Sequence, residues 1–317
     1  MMLVTCKICA IAMQSSFTRR WFLHKGPAAC AMGIALLQRK PLLANRIPSK
    51  NRTFIAYGEP LQRLDYRQTA DLVADLGFDG LEATVRPGGH VEPERVQDDL
   101  PKLVDALRDR GLELTMMASN INRVDQPHSE KVLRTAASLN IPHYRMRGYM
   151  YDLQKPIPPQ LTAFLPVIAD LAALNAELGI TGLIHNHAGV HHVGATVWDI
   201  HTLLKDQNPR GIGAVFDISH ATAEAGVSWP IYFKLMRPLM QVALVKDFVW
   251  QDKGKMKWVP LGTGQIEPRY FEMLTRSAYD GPIGLHIEYD VSGGNYPEQA
   301  RAAYRRDFST LKSWLDG

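Results

Sequence analysis

Ionisable side chains follow short apolar runs at four places in the second half of the chain. The segments are Ile184-His185-Asn186-His187, Phe216-Asp217-Ile218-Ser219-His220, Val245-Lys246-Asp247 and His286-Ile287-Glu288. Imidazole nitrogens and carboxylate oxygens suit two kinds of chemistry. They transfer a proton next to a carbonyl group, and together they bind a divalent metal ion such as Mn²⁺, Zn²⁺ or Co²⁺.

The residue types predict a role for each of these side chains. Glu288, His185 and Lys246 are the candidate catalytic residues, with His185, Asp217 and Glu288 as candidate metal ligands. The candidate substrate-binding residues are Glu82, Arg145, His187, His220 and Trp250, with Trp258 as the alternative stacking tryptophan. Lys246 is costly to bury without a partner, so we expect it to contact a substrate oxyanion or a neighbouring carboxylate.

The elements that must position these residues alternate between strand-like runs and helix-like patterns of apolar residues. Eight β-like runs are found at 53–57, 80–85, 113–118, 143–147, 182–187, 213–217, 242–247 and 283–288. Helical patterns lie at 65–76, 101–110, 129–139, 160–178, 195–205, 229–236, 268–278 and 297–315. This alternation predicts an α/β fold, a single-domain (β/α)8 TIM barrel whose reactive groups lie where the strands end. An open doubly wound sheet is the alternative, and it is disfavoured because no glycine-rich dinucleotide loop follows the first strand.

The pleat of a strand decides which of these side chains can meet. Successive side chains point to opposite faces, so His185 and His187 share one face, as do His286 and Glu288. The polar segment 249–265, with three lysines and Trp258, is long enough to form a flap near the mouth of the barrel, or else a solvated loop.

The order and spacing of five motifs resemble the xylose isomerase-like sugar phosphate isomerase/epimerase family. The motifs are Gly-Phe-Asp-Gly-Leu-Glu ending at Glu82, Asp217-Ile-Ser-His220, Val245-Lys246-Asp247, Gly262-Thr-Gly264 and His286-Ile-Glu288. The resemblance implies one divalent metal held by a Glu, an Asp, a His and a Glu on the fifth to eighth strands. It assigns Asp217 and Glu288 to two of these ligands.

The chain departs from that pattern at two positions. His185 stands where the family has its fifth-strand Glu, and Leu244 stands where it has the seventh-strand His. Leu244 cannot bind a metal ion, so three protein ligands remain unless His220 or His187 joins them. With one glutamate of the acid and base pair replaced, either His185 takes the second role or the chemistry is one-sided, as in a dehydration or β-elimination.

The N-terminal region predicts export. The sequence Thr18-Arg19-Arg20-Trp21-Phe22-Leu23 and the apolar run 27–37 are typical of a twin-arginine signal, so we expect a signal segment at 1–44, the barrel at 45–317 and a periplasmic protein. The apolar run is shorter than the roughly 18 residues of a spanning helix, which argues against an integral membrane span. All three cysteines, Cys6, Cys9 and Cys30, lie in this segment.

The charge of the remaining chain argues against a nucleic-acid partner. Six of the 36 basic residues and none of the 32 acidic ones precede Ala44, so 30 basic and 32 acidic side chains remain, a formal charge of −2. A DNA-repair endonuclease, which needs a basic surface, is disfavoured. A small-molecule sugar or polyol is the expected partner, and a homo-oligomer remains open.

These observations predict a sugar isomerase or epimerase that abstracts a proton next to a carbonyl group with the help of one divalent metal. Two alternatives remain. One is a keto-sugar lyase or dehydratase, and the other is a metal-free carbohydrate-binding barrel without catalysis, which Leu244 would favour.

Overall fold

The computed structural model describes residues 52–316, in which eight parallel strands close into a barrel. The barrel strands are β1 (Phe54–Tyr57), β2 (Gly80–Val85), β3 (Glu113–Ser119), β4 (His143–Arg145), β5 (Thr181–His185), β6 (Ile212–Asp217), β7 (Met240–Val245) and β10 (Ile283–Leu285). Two further strands, β8 (Asp247–Trp250) and β9 (Met256–Val259), lie outside the barrel sheet. The barrel runs from β1 to β7 in sequence order and closes through β10, which pairs with β7 and β1. The strands β8 and β9 form a separate antiparallel pair.

Helices connect the barrel strands on the outside. They are α1 (Tyr66–Asp75), α2 (Val96–Arg108), α3 (Ser129–Ser138), α4 (Ile157–Leu178), α5 (Val197–Leu204), α6 (Ile218–Ala225), α7 (Trp229–Met236), α8 (Arg269–Arg276) and α9 (Glu298–Asp316). Local signals set several ends. Asp65 and Gln68 form a capping box at the start of α1, and α4 ends at Gly179, whose φ of 73° favours glycine.

The inward-facing positions of the barrel strands change from apolar to polar towards the mouth. Ile55, Met116, Leu183, Val215, Val242 and Leu244 form an inner apolar cluster. Two residues further along β5 and β6, on the same face of the strand, come His185 and Asp217. Lys246 follows Leu244 in the same way just beyond β7. Leu244 therefore belongs to the layer beneath the polar groups, where it packs under Lys246.

The predicted barrel is confirmed, with local differences. Four strands end before the predicted residue: β4 ends at Arg145, β5 at His185, β7 at Val245 and β10 at Leu285. His187, Lys246, His286 and Glu288 therefore lie just beyond strand ends. The sequence missed α6, which follows β6 without a loop, and it began α2 at Pro101 instead of Val96. The predicted signal segment 1–44 and the cysteines lie outside the described residues.

The segment after β7 is a β-hairpin held by one buried carboxylate. In the predicted flap region, β8 pairs with β9 from Asp247↔Val259 to Trp250↔Met256. The side chain of Asp247 accepts backbone hydrogen bonds from Phe248, Gly262, Gly264, Gln265 and Ile266 at 2.8 to 3.1 Å. Asp247 thereby ties the hairpin to the loop that leads to α8.

Replacing Asp247 with Ala should loosen the loop that it holds. Each hydrogen bond from a backbone amide to a carboxylate contributes about 1–3 kcal/mol, and five are lost together. We expect faster amide hydrogen exchange at Gly262, Gly264, Gln265 and Ile266, measured by NMR or mass spectrometry. Amides of β3, on the opposite side of the barrel, are the internal control. Equal exchange in both proteins at the four loop amides would contradict this role.

In the described part of the chain, α4 is long and apolar enough to cross a membrane by length and composition alone. Its residues Ile168, Leu171, Ala172 and Asn175 are buried, and Asn175 donates to the carbonyl of Gly211 at 2.9 Å before β6. The helix connects β4 with β5 in the closed barrel. Its apolar character is therefore used to cover the sheet as a barrel crossover.

Candidate active site

Two carboxylates at the barrel mouth share the ammonium group of Lys246. Its Nζ lies 3.2 Å from Oδ2 of Asp217 and 2.8 Å from Oε1 of Glu288. Asp217 is fully buried and Lys246 is 3% exposed, whereas the side chain of Glu288 is 26% exposed. The expected pairing of Lys246 with a neighbouring carboxylate is confirmed, and it joins the ends of β6, β7 and β10.

The pairing continues across the mouth. His286 places Nδ1 3.3 Å from Oε1 of Glu288 and Nε2 2.7 Å from Oε2 of Glu82. Glu82 in turn accepts a 2.7 Å hydrogen bond from Nε of Arg145. We call this row the charge chain; its members in order are Asp217, Lys246, Glu288, His286, Glu82 and Arg145. Acidic and basic groups alternate along it, so each buried charge has a neighbour of opposite sign.

Burial and pairing compete over the pKa of each acid in the charge chain. Burial raises the pKa of Glu82, but Arg145 and His286 outweigh it and lower the pKa to about 2. Burial likewise raises the pKa values of Asp217 and Glu288, and Lys246 with the nearby imidazoles holds both well below their usual range. All three acids are therefore carboxylates at neutral pH.

The bases respond in the opposite sense. Burial lowers the pKa of Lys246, but Asp217 and Glu288 outweigh it and raise it above its usual value. Burial also lowers the pKa of His286, but Glu82 and Glu288 outweigh burial, so the pKa lies above its usual value. This favours the imidazolium form. The charge chain thus holds three anions against three cations, and it is neutral as a whole.

The backbone around Asp217 fixes the position of its carboxylate. Asp217 ends β6 and is the N-cap of α6, where Oδ1 accepts from the backbone N–H groups of Ser219 at 2.8 Å and His220 at 3.3 Å. The side chain of Asn186 bonds both the N–H and the carbonyl of Asp217. The other oxygen, Oδ2, is left to face His185 at 3.2 Å as well as Lys246.

Neutral imidazoles surround the buried end of the charge chain. Burial lowers the pKa of His185 to about 3, and it lowers that of His220 well below the usual range. The ring of His187 stacks between His192 and His220, with centroids 4.2 and 4.1 Å apart. These rings therefore remain uncharged at neutral pH beside the cationic Lys246.

Aromatic rings cover two members of the charge chain. Nζ of Lys246 lies 4.3 Å from the ring centroid of Trp258 on β9, within range for a cation–π contact. Tyr57, at the end of β1, stacks on His286 with centroids 3.9 Å apart and planes 4° apart. The hairpin is thus part of the site, because Trp258 shields the ammonium group from water.

A cavity of about 600 Å³ opens beside the charge chain. Its walls are Tyr57, Glu59, Pro60, Gln62, Arg63, Arg86, Arg145, His187, Ile287, Glu288, Tyr289, Asp290, Val291, Ser292 and Tyr296. Glu288, in the middle of the charge chain, and Arg145, at one end of it, thus line the cavity. Its size suits a small ligand such as a sugar.

Two buried polar groups near the cavity have atoms without a hydrogen-bond partner among the described residues. One is Nη2 of Arg145, and the other is the ring of His220, of which neither nitrogen is bonded. Buried polar atoms normally find a partner. Arg145 lines the cavity, so its Nη2 is suited to bind a ligand oxygen, whereas His220 does not line the cavity.

The structure brings together most of the residues that the sequence singled out. Glu82, Arg145, His185, His187, Asp217, His220, Lys246 and Glu288 lie in one connected group. His185 is only 8% exposed, hydrogen-bonded to Asp217, and does not line the cavity described above. Trp250 is 47% exposed and packs on Phe248, whereas Trp258 contacts Lys246.

Two residues with clear roles at the site were missed. His286 was considered only as a neighbour of Glu288, although it bridges two carboxylates. Tyr57 was considered only as part of a strand, although it lines the cavity and stacks on His286. The position of Tyr57 at the end of a barrel strand was the available signal.

The buried His185 predicts a loss of stability in acid. The unfolded chain binds a proton at an unperturbed pKa of about 6.5, but the folded protein does so only near 3, so the free energy of unfolding falls as pH decreases through this interval. We expect His185→Gln to reduce this slope by up to one proton, about 1.4 kcal/mol per pH unit. Urea unfolding at several pH values measures it, and an identical slope in both proteins would refute the prediction.

His185, Asp217 and His220 offer one ligand atom each within 4.8 Å of one another, a set that could hold a divalent ion. The chemistry of this set suits Zn²⁺ or Co²⁺. However, the carboxylate oxygen of the set, Oδ2 of Asp217, already lies 3.2 Å from the ammonium of Lys246. The second acidic ligand that the sequence predicted, Glu288, bonds the same ammonium. With Lys246 in this position the residues do not fit a divalent ion.

Comparison with known proteins identifies a family model that matches most of the described chain. The family model described as "xylose isomerase-like TIM barrel" matches residues 70–314. Comparison with curated proteins finds no match.

Solved structures share the fold at low identity. A putative xylose isomerase from Rhodospirillum rubrum is 15% identical, with a TM-score of 0.67 over 81% of this chain and 99% of that one. The probable 3-DHS dehydratase AsbF from Bacillus anthracis is 15% identical, with a TM-score of 0.64 over 82% and 98%. The 3-keto-D-glucoside 4-epimerase YcjR from E. coli is 15% identical, with a TM-score of 0.63 over 83% and 100%.

Proposed function

Because the chain belongs to the xylose isomerase-like TIM barrel family, we propose that it is an isomerase or epimerase that moves a proton on a carbon next to a carbonyl group of a sugar or polyol. The observation that carries the proposal is the position of Glu288. Of the three residues proposed for catalysis, it is the one whose side chain lines the cavity, and it does so between two cationic groups.

Glu288 is proposed as the base, acting through one particular oxygen. Its Oε1 is held by Lys246 and His286, whereas the described residues form no hydrogen bond to Oε2. In the resting site the two cations keep the pKa of Glu288 low, which makes it a weak base. When a substrate carbonyl oxygen accepts a hydrogen bond from Lys246, that ammonium is shared, so the basicity of Glu288 rises.

Lys246 is proposed to stabilise the charge that then develops on the substrate oxygen. The loss of a proton next to a carbonyl leaves an enolate, and a buried ammonium stabilises an enolate oxygen far better than water does. Trp258 over Nζ excludes water from this side. His286, hydrogen-bonded to both Glu288 and Glu82, holds the base in position and does not itself contact the carbon that reacts.

Free sugars are the proposed substrates. Arg145, His187 and Tyr57 offer the cavity a guanidinium group, an imidazole and an aromatic face, which suit hydroxyl groups and a sugar ring. If segment 1–44 is an export signal, the protein acts in the periplasm, where phosphorylated sugars are scarce. This proposal therefore does not extend to the phosphate in the family name.

A β-elimination is the second candidate, and the placement of His185 favours it. An epimerase generally needs proton-transfer groups on both faces of the substrate carbon. His185 is buried behind Asp217 and away from the cavity walls, so Glu288 faces the cavity without its proposed partner. His187 lines the cavity and is the remaining group for the second face. Without a second group, Glu288 removes the proton from the carbon next to the carbonyl, a carbon–carbon double bond forms, and the hydroxyl on the following carbon leaves as hydroxide, which takes up a proton to become water.

Proton exchange in D₂O tests the proposal and separates these reactions. The full chain is incubated with free D-fructose, D-psicose and L-ribulose and with a 3-keto-D-glucoside, and ¹H NMR follows the hydrogen next to the carbonyl group. Loss of that signal with appearance of an isomer supports an isomerase or epimerase. An alkene signal identifies the elimination.

Thermal shift measurements with the same sugars complete the test. A sugar that raises the melting temperature but undergoes neither exchange nor conversion would identify a carbohydrate-binding barrel without catalysis and reject the enzymatic proposal. The variant Glu288→Gln, run beside the unchanged chain, shows whether any exchange arises at this site.

A further inference from the structure

The ammonium of Lys246 lies where a cation shared by the two candidate acidic ligands would have to lie. Its Nζ is 3.2 Å from Asp217 and 2.8 Å from Glu288, and these are the acids that the sequence assigns to a metal. A divalent ion bound to either acid would share that carboxylate with the ammonium group. In a site shielded from water, two such cations repel each other strongly.

The ammonium group of Lys246 cannot move elsewhere without losing its carboxylate partners. The side chain is 3% exposed, and the ring of Trp258 covers one side of Nζ, with its centroid 4.3 Å away. Moving away from Asp217 and Glu288 would bury an unpaired ammonium, which is costly. The cation is therefore built into the fold by its position after Leu244, which fills the inner apolar cluster below.

The neighbouring imidazoles do not change this balance. The ring nitrogens of His220 have no hydrogen-bond partner among the described residues, but the side chain is buried and does not line the cavity. His185 is bonded to Oδ2 of Asp217 at 3.2 Å, and this is the same oxygen that Lys246 contacts. The cluster His185, Asp217 and His220 thus has one carboxylate oxygen, and Lys246 already uses it.

We propose that Lys246 is the resident cation of this site, and that its ammonium excludes a divalent metal from Asp217 and Glu288. The protein then stabilises a substrate oxyanion with an amino acid side chain rather than with a metal. The inference rests on the proposed function only for the identity of that oxyanion. The exclusion of metal is a property of the site whatever reaction it performs.

Metal binding by the full chain and by Lys246→Met tests the proposal without reference to turnover. Met has a similar length and no charge, so the variant leaves two carboxylates and two imidazoles without the ammonium. Equilibrium dialysis against Zn²⁺ or Co²⁺ should show binding at least about 100-fold tighter in the variant than in the unchanged chain. Bound Co²⁺ should also show the visible absorption of an ion with nitrogen and oxygen ligands.

Two control variants locate the effect. Lys246→Arg keeps a positive charge and should bind as weakly as the unchanged chain. Lys246→Met combined with Asp217→Asn should lose the tight binding, which would place the ion at Asp217. A sugar that fails to react in D₂O leaves these results unaffected, so a failure of the proposed function is distinguishable from a failure of this inference.

Tight binding of one equivalent of metal by the unchanged chain would overturn the inference, as would equal affinities in the unchanged chain and Lys246→Met. If Lys246→Met does not fold, the unchanged chain and Lys246→Arg decide the question. Stoichiometric metal in either, retained after desalting, rejects the proposal, and its absence from both supports it.

Discussion

Replacing Glu288 with Gln is expected to lower the rate of proton exchange on a reactive sugar by about 10²- to 10⁴-fold, the usual contribution of a general base. Gln has the same shape and can still accept from Lys246, but it cannot take a proton. The effect should appear in kcat with little change in KM, because the residue acts on the reacting proton and contributes less to holding the sugar. The measurement is the exchange rate in D₂O as a function of sugar concentration.

A nearby carboxylate provides the matched control for Glu288→Gln. Asp290 lines the same cavity two residues further along, but it is exposed and bonds only within its own turn, to Ser292. Asp290→Asn should therefore react nearly as fast as the unchanged chain. If Glu288→Gln raised KM at an unchanged kcat, Glu288 would be a binding residue, and the base would have to be sought elsewhere.

The pH dependence of the same reaction carries independent information. The pKa of Glu288 lies well below its usual range because Lys246 and His286 outweigh the effect of burial. A carboxylate with a lowered pKa stays ionised as the solution becomes mildly acidic. A fall of kcat/KM between pH 7 and 5 would therefore have to come from another group.

The sequence predicted the barrel because its strand signals are local. Each of the eight runs is a short apolar segment followed by a polar residue, and this order places the polar residue at the mouth whatever the rest of the chain does. Asp217, Lys246 and Glu288 were found in this way. The hairpin in the predicted flap or loop was missed because β8 and β9 have only four residues each, and β8 begins at Asp247, which the sequence assigned to the seventh strand.

The side-chain contacts within the site could not be predicted from the sequence in the same way. His286 and Glu82 are 204 residues apart, and their 2.7 Å contact follows only from the closure of the barrel between β10 and β2 on either side of β1. The sequence also does not show how deeply a side chain is buried, because a position at the end of a strand does not tell whether the side chain reaches the cavity. His185 and Glu288 occupy similar positions in the sequence pattern, yet only Glu288 lines the cavity.

The charge chain also explains why its members were difficult to assign individually. Glu82, His286 and Arg145 each have a partner of opposite sign, so each taken alone could be a structural ion pair. Their arrangement as one neutral row across the mouth is what gives Glu288 two cationic neighbours. Function and stability are thus carried by the same residues, and a single substitution changes both.

Replacing Asp217 with Asn is expected to lower the free energy of unfolding by at most about 3–5 kcal/mol, the usual cost of leaving a buried charge unpaired, because Lys246 keeps Glu288 as its second partner. Asn preserves the volume and keeps an oxygen for the N–H groups of Ser219 and His220, so the start of α6 is retained. What disappears is the charge opposite Lys246. Urea unfolding at neutral pH with a chelator present measures the loss without interference from bound metal.

The double variant Asp217→Asn with Lys246→Met measures whether the charges of Asp217 and Lys246 are energetically coupled. Removing both groups leaves no buried ammonium that has lost one of its two carboxylates, so the double variant should be more stable than Asp217→Asn alone by about 1–4 kcal/mol. Asp65→Asn, at the exposed cap of α1, is the matched control and should change stability by less than about 0.5 kcal/mol, because Asn caps a helix as well as Asp does. If the two single losses simply add in the double variant, Asp217 and Lys246 are not energetically coupled. In that case the position of Lys246 would be a consequence of packing, and Asp217 would not be what holds the ammonium in the site.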